Sequence, residues 1–444
     1  MTLRLSEKAG WGLADMGIGM FVVVKQLLVF SFLTTFLGVP PAVAGWVTFA
    51  VLAFDVVTDP LVGYFSDRTT GRWGRRAPWI AAGGPILALG VVAMFVVPES
   101  LSWQASALWV AGFFGLATIG FTFVAIPYGA MAGEMTRDPV ERSSMTAWRM
   151  VFASLGLLIA GGVVPALAGD SREGYARAVL IVAPVIVVTV WGMLFLTRRA
   201  PRIGRASDSS FLSVLGLVLG NRPFAILVTL YAVMTLGVAI IAAGLQLAAL
   251  NLVASVDGPL SGIAGALGIF STLFACFVVG AVVSQYLWYR LSAGLGRLPA
   301  LLCGLALYVV VLLLIYLALP TASLSLLALL FLFAGMGNGA YQQIPWAIYP
   351  DLMDVTRNTD DAPIEGAFSA VWLFGQKIAN AVGPLILGLL LAAGGWQEST
   401  GAPVPQTDAA LSMLRVALTL VPAALIALSL VGCATLFRRA MRAA

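Results

Sequence analysis

The sequence predicts an all-α integral membrane protein, with twelve transmembrane helices arranged as two six-helix halves. Three observations predict it. The 444 residues are 60% hydrophobic and only 10% charged, with a mean hydropathy of +0.98, a balance that no soluble domain shows. Apolar stretches long enough to cross a bilayer recur along the whole chain. Arginines gather in the short connections between these stretches, the positive-inside pattern of membrane proteins, so the net charge of +5 does not point to nucleic acid.

Taken in order, the spans are expected at about 9–37, 42–65, 78–97, 103–132, 145–168, 176–197, 223–250, 260–288, 298–318, 322–348, 365–394 and 410–437. The N-terminus runs straight into the first span and is read as carrying no cleavable signal peptide. An even number of spans puts both termini on one side. Of the Lys and Arg residues in connections, only Arg172, Arg177 and Arg415 fall on the opposite side, so both termini are expected in the cytoplasm, with the chain in a plasma membrane, the bacterial inner membrane. The basic stretch 201–222 reads as a cytoplasmic linker between an N-terminal half, 1–200, and a C-terminal half, 223–444. A weak internal repeat supports that division. Ile126-Pro127-Tyr128 in the fourth span has a counterpart in Ile344-Pro345-Trp346 in the tenth, and Gly74 to Pro78 has an echo in Gly296 to Pro299. Two parallel six-span halves joined by a basic loop describe the major facilitator architecture, in which a solute binds near mid-membrane between halves that rock.

Glycine is abundant at 47 residues and permits close packing of spans. Pro127 and Pro345 in mid-span are expected to kink their helices, which is tolerated where a helix lines a cavity. Cys276, Cys303 and Cys433 all lie in apolar spans and are read as packing residues. With no histidine in the chain, imidazole proton relays and histidine metal sites are excluded. No nucleophile–base set suggests an enzyme, and no ring of repeated charges suggests a channel.

The informative residues are the charges inside the spans, because each costs several kcal/mol on most estimates and needs a reason. Asp55 and Asp59 lie one helical turn apart on one face of the second span. A bound monovalent cation would lower their repulsion, and Thr122 in the fourth span offers the kind of oxygen that a hard cation prefers. Asp15, early in the first span, reads either as an interfacial carboxylate or as a cavity group for substrate hydroxyls. Lys25 lies about three turns further along, on roughly the same face, and reads as a cavity residue or one half of a structural ion pair. Arg149 opens the fifth span. Lys377 sits in the middle of the eleventh, as a candidate partner for the Asp55–Asp59 pair. Tyr128, Tyr341, Trp346 and Trp372 offer flat faces to a ligand, or pack between helices. Asp67, Arg68, Arg75 and Arg76 after the second span, with Asp351 and Asp354 after the tenth, read as a cytoplasmic gate.

Asp55, Thr58, Asp59 and Pro60, then Gly63, Ser66-Asp67-Arg68 and Arg72-Trp73-Gly74-Arg75-Arg76, resemble the second span and following loop of the glycoside-pentoside-hexuronide:cation symporters. The resemblance extends to Asp15, Thr122, Ile126-Pro127, Arg149 and Lys377, and thus to most of the chain. It implies a cation site at Asp55, Thr58, Asp59 and Thr122. It also implies a sugar-binding carboxylate and arginine at Asp15 and Arg149, with Lys377 near both sites. Two positions depart from the galactoside-carrying pattern: Ala125 stands where an aspartate is found, and Gly129 where a tryptophan is found. Lys25 adds a positive charge, so a cavity with Lys25, Arg149 and Lys377 suits an anionic or zwitterionic solute such as a uronide. More distantly, the chain resembles the sodium-dependent lysophosphatidylcholine symporters.

The expected activity is therefore symport of a small glycoside-like solute with sodium, lithium or a proton, by alternating access. The partners are the solute, the monovalent cation and the bilayer; no cofactor, no other metal and no further subunit is expected. A sodium-coupled lysophospholipid symporter and a proton-driven exporter are the alternatives. The fifth span, from Ala153 to Pro165, lacks the Gly-Pro pair often found in exporters.

Overall fold

The computed structural model describes residues 3–443, apart from 137, 202–219, 254, 255, 257, 361–364 and 402; at 139, 140, 350, 354–360, 365–367 and 443 it describes the backbone alone. Most of the expected linker at 201–222 thus lies outside the described residues.

The protein is all-helical, because a chain crossing hydrocarbon must satisfy its backbone groups internally. Among the described residues, 11 helices are long and apolar enough to cross a membrane. A bent pair, Leu5–Leu27 and Val29–Phe36, meeting at 44°, makes the first span and brings the number to 12. The second to sixth spans are Pro41–Arg68, Ala77–Phe95, Trp103–Met135, Glu141–Ala168 and Arg172–Leu196. The seventh to twelfth are Arg222–Asn251, Ile269–Leu295, Arg297–Ala318, Leu324–Met353, Phe368–Ala393 and Asp408–Arg442.

Local chemistry sets many of these boundaries. Ser102, Ser171, Asn221 and Thr407 cap the fourth, sixth, seventh and twelfth spans by accepting a backbone N–H from the first turn. Proline occupies the first turn of the second, third and seventh spans, where its missing N–H costs nothing. The eighth and ninth spans are separated by Gly296 alone, at φ 93° and ψ 158°. Side chains do not tolerate that conformation, so glycine is what allows so abrupt a reversal. In the fifth span a π-helical turn, Ile159–Val163, precedes Pro165. Such a turn absorbs an extra residue without ending the helix.

The chain folds as two units, Met1–Ala206 with Gln397–Val404, and Ser207–Trp396 with Pro405–Ala444. In the first unit the third span packs on the fourth and sixth, the first on the fifth and sixth, and the second on the fourth. In the second unit the ninth packs on the tenth and twelfth, the seventh on the eleventh and twelfth, and the eighth on the tenth. Each pairing recurs six spans later, so the two units repeat one packing scheme. Segment Gln397–Val404 folds with the first unit through backbone bonds, Ser399 N–H to the Thr34 carbonyl at 3.1 Å and Gly38 N–H to the Ser399 carbonyl at 2.8 Å.

Lipid removes the hydrophobic drive between spans, so contact depends on close packing. The core of the first unit shows how it is achieved: Trp11, Ala14 and Ile18 meet Ile80, Val124, Tyr128, Met131, Val190 and Met193. Replacing Gly296 by alanine is expected to cost about 1–3 kcal/mol, read as a lower unfolding temperature in detergent with the helix content unchanged.

Candidate functional site

Two polar clusters lie inside the first unit. The second span is turned so that Asp55 is buried and Asp59 half-buried. The fourth span brings Thr122 against both: its Oγ lies 3.1 Å from an Asp55 carboxylate oxygen, 3.2 Å from one of Asp59, and 3.0 Å from the Thr118 carbonyl. A hydroxyl carries one proton, so three acceptor oxygens share it. Thr58, one turn from Asp55, spends its hydroxyl proton on the Asp55 backbone carbonyl at 3.2 Å. Lys25 from the first span approaches the same place. Its ammonium is 3.5 Å from the other Asp55 carboxylate oxygen and sits over the ring of Phe121, 4.5 Å from the centroid. Helical spacing grouped Lys25 with Asp15; the structure places it against the Asp55 carboxylate.

The second cluster surrounds Asp15. The Arg149 Nε–H donates to the Asp15 carboxylate, and the Tyr128 hydroxyl donates to the same oxygen at 3.0 Å. Trp11 stacks on Tyr128 with ring centroids 4.8 Å apart, and the Arg149 guanidinium lies 5.7 Å from the Tyr128 centroid. The first and fifth spans approach closely enough for this because position 12 is glycine; a Cβ there would come within 2.8 Å of the Arg149 backbone nitrogen. Asp15 and Tyr128 are enclosed by protein, whereas 40% of the Arg149 side chain is exposed. The cluster thus presents a guanidinium whose orientation is held from behind by a carboxylate.

In the second unit the seventh, tenth and eleventh spans, six on from the first, fourth and fifth, hold an aromatic cluster instead. Tyr231 stacks on Trp372 at 4.4 Å and on Tyr341 at 5.3 Å, and Tyr349 stacks on Trp372 at 5.2 Å. The Trp346 indole N–H donates to the Tyr231 hydroxyl at 3.2 Å. Trp372 is 0% exposed, so both faces are covered by its neighbours; Trp346, 38% exposed, is the open face of the cluster. Lys377 lies on the eleventh span of this unit and is half-buried.

The expected gate residues fall into separate sets. In the first unit Arg76 bonds Asp67 at 2.6 Å and Glu134 at 3.0 Å, and Arg75 bonds Glu134 at 2.8 Å. Arg68 instead stacks on Tyr64 with its guanidinium 3.6 Å from the ring centre. In the second unit Asp351 pairs with Arg297; the Asp354 side chain lies outside the described residues. Sequence reasoning missed Glu134, Trp11 and Phe121. Glu134 carried a signal, a lone carboxylate closing the fourth span opposite a basic loop. The aromatic residues carried none, because a ring in an apolar span looks like packing.

Comparison with known proteins places these clusters in context. The family model for MFS/sugar transport proteins matches residues 10–438. YagG of Escherichia coli (strain K12), provisionally named a glycoside/cation symporter, is 27% identical over 96% of this chain and 90% of its own. The sodium-dependent lysophosphatidylcholine symporter 1 of Xenopus tropicalis is 23% identical over 86% of this chain and 78% of its own. The solved structure of the nucleoside transporter NupG has a TM-score of 0.66 at 13% identity, covering 96% of this chain and 99% of that one, which shows a shared fold.

The Asp15–Arg149 contact predicts a measurable coupling. In a double-mutant cycle of Asp15→Asn and Arg149→Gln, the unfolding free energies should be non-additive by about 1–3 kcal/mol. Additive losses would show that the pair does not hold the cluster.

Proposed function

The chain belongs to the MFS/sugar transport protein family of membrane transporters, which are not enzymes, and on that premise we propose that it is a sodium-coupled symporter of a small anionic glycoside. One observation carries the coupling half of this reading. The Thr122 hydroxyl oxygen lies within 3.2 Å of a carboxylate oxygen of both Asp55 and Asp59. Carboxylate and hydroxyl oxygens from two spans, brought together beside the buried Asp55, are the hard donors suited to a small monovalent cation. The sodium dependence in the name of the lysophosphatidylcholine relative favours sodium over the proton as the first ion to test.

The substrate half rests on Arg149. Its exposed, carboxylate-braced guanidinium suits a planar anionic group, which it can engage through two parallel hydrogen bonds. The glycoside named for YagG supplies the scaffold on which such an anion would be carried. Coupling is a binding linkage: the cation raises the affinity for the solute, and the solute raises the affinity for the cation by the same factor. The arginine-rich loops put both termini on the cytoplasmic side. There, the Asp67–Arg76–Glu134–Arg75 network ties the ends of the second, third and fourth spans.

Uptake into proteoliposomes under an inward sodium gradient tests the reading, with nitrophenyl glucuronide, nitrophenyl glucoside and lysophosphatidylcholine as probes. The expected result is sodium-driven accumulation of the glucuronide above the other two. It should fall to the level of protein-free liposomes in Asp55→Asn/Asp59→Asn. Accumulation that survives in that double variant would contradict the cation site. Accumulation of the lysolipid alone would contradict the substrate class. Arg149→Lys should weaken glucuronide uptake more than glucoside uptake, because it loses the planar fork and keeps the charge.

A further inference from the structure

We infer that Lys25 is the resident counter-cation of the Asp55–Asp59–Thr122 cluster, and that the coupling cation binds by displacing its ammonium from Asp55. Lys25 then sets the affinity of the site for its ion. The inference rests on the cation-site reading above and adds a competitor to it.

Three features of the structure support it. The ammonium stands 3.5 Å from the Asp55 carboxylate oxygen, longer than the 2.7–2.9 Å typical of a charge-assisted hydrogen bond. It is thus drawn to Asp55 by charge at more than close hydrogen-bond distance, a contact that a small ion competing for the carboxylate can displace. Second, the ammonium has an attraction besides the carboxylate where it stands, so it keeps part of its stabilisation when an ion takes Asp55. The rings of Phe121 and Phe21 lie beneath it, with centroids at 4.5 Å and 5.3 Å, and attract a cation without consuming a carboxylate. Third, Phe121 adjoins Thr122, so one turn of the fourth span offers a ring to the ammonium and a hydroxyl oxygen to the carboxylates. An ammonium and a sodium ion carry the same charge. Exchanging one for the other at Asp55 leaves the charge balance of that carboxylate intact, and the buried site never bears the cost of an uncompensated anion.

Because the tethered ammonium and the free ion compete for one carboxylate, removing the ammonium must strengthen ion binding. The test is sodium-dependent thermal stabilisation of the purified full chain, titrated with sodium chloride at constant ionic strength held with choline chloride. It compares wild type, Lys25→Met, Lys25→Gln, Lys25→Arg and Lys25→Met/Asp55→Asn. Methionine keeps most of the apolar stem, and glutamine provides a second neutral variant should methionine fail to fold. We expect the neutral variants to reach half-maximal stabilisation at a sodium concentration lower by about tenfold or more. Lys25→Arg should stay near wild type, and the added Asp55→Asn should abolish the response. A sodium response seen only in the neutral variants also supports the inference. A wild-type response that is unchanged or weakened in the neutral variants would overturn it and leave the cation site standing. No sodium response in any of the five proteins would overturn the cation-site reading itself.

Discussion

A carboxylate taken out of water must be given back its counter-charge or its hydrogen bonds, and that constraint shapes the first unit of this protein. The cost of leaving such a group uncompensated is several kcal/mol, comparable with the whole stability of a domain. Glu7 is met within its own helix start, by the Arg4 backbone N–H, and the other buried acidic residues there are met by groups remote in sequence or from a neighbouring connection. Asp15 is met by Arg149 and Tyr128, Asp55 by Lys25 and Thr122, and Glu134 by Arg75 and Arg76. Glu141 takes Lys8, Thr136 and the Leu3 backbone N–H. Because those remote groups come from other helices or connections, the charges specify which spans must lie together. Packing of small and apolar residues then fills the space between them.

The two units share one packing scheme and divide the chemistry. Where the first, fourth and fifth spans carry Asp15, Tyr128 and Arg149, the seventh, tenth and eleventh carry Tyr231, Trp346 and Trp372. The repeat explains how a chain this apolar can build a specific site. The helix framework is used twice, and only a few positions per copy depart from the lipid-compatible background. Among the described residues, the buried carboxylates all lie in the first unit, while the other holds an aromatic cluster that needs no counter-ion.

Much of the fold was legible because hydropathy and length alone define a membrane span. The twelve segments found by apolar runs correspond in order to the helices, but the eighth, expected at 260–288, is Ile269–Leu295, because Gly268 at φ 86° separates it from a short helix, Ser261–Leu267. The sequence did not show the bend after Leu27 or the seating of Gln397–Val404 against Thr34 and Gly38, since both depend on contacts remote in sequence. In the site, Asp55 and Asp59 stood out because charge in an apolar run is conspicuous, and Thr122, which is uncharged, drew its meaning from them. Lys25 was conspicuous too, but spacing on one helix suggested its face and not its partner, which a long flexible stem reaches on another span. Trp372 could be read as a surface for a ligand or as packing between helices. Its enclosure by Tyr231 and Tyr349 is a tertiary fact that no local pattern carries.

The central claim is that the oxygens of Asp55, Asp59 and Thr122 hold the coupling cation. Equilibrium binding of radiolabelled sodium to the purified protein tests it most directly. The account predicts saturable binding that weakens in Thr122→Val, remains in Thr122→Ser, and disappears in Asp55→Asn/Asp59→Asn. Saturable binding of undiminished affinity in that double variant, with the protein folded, would contradict it.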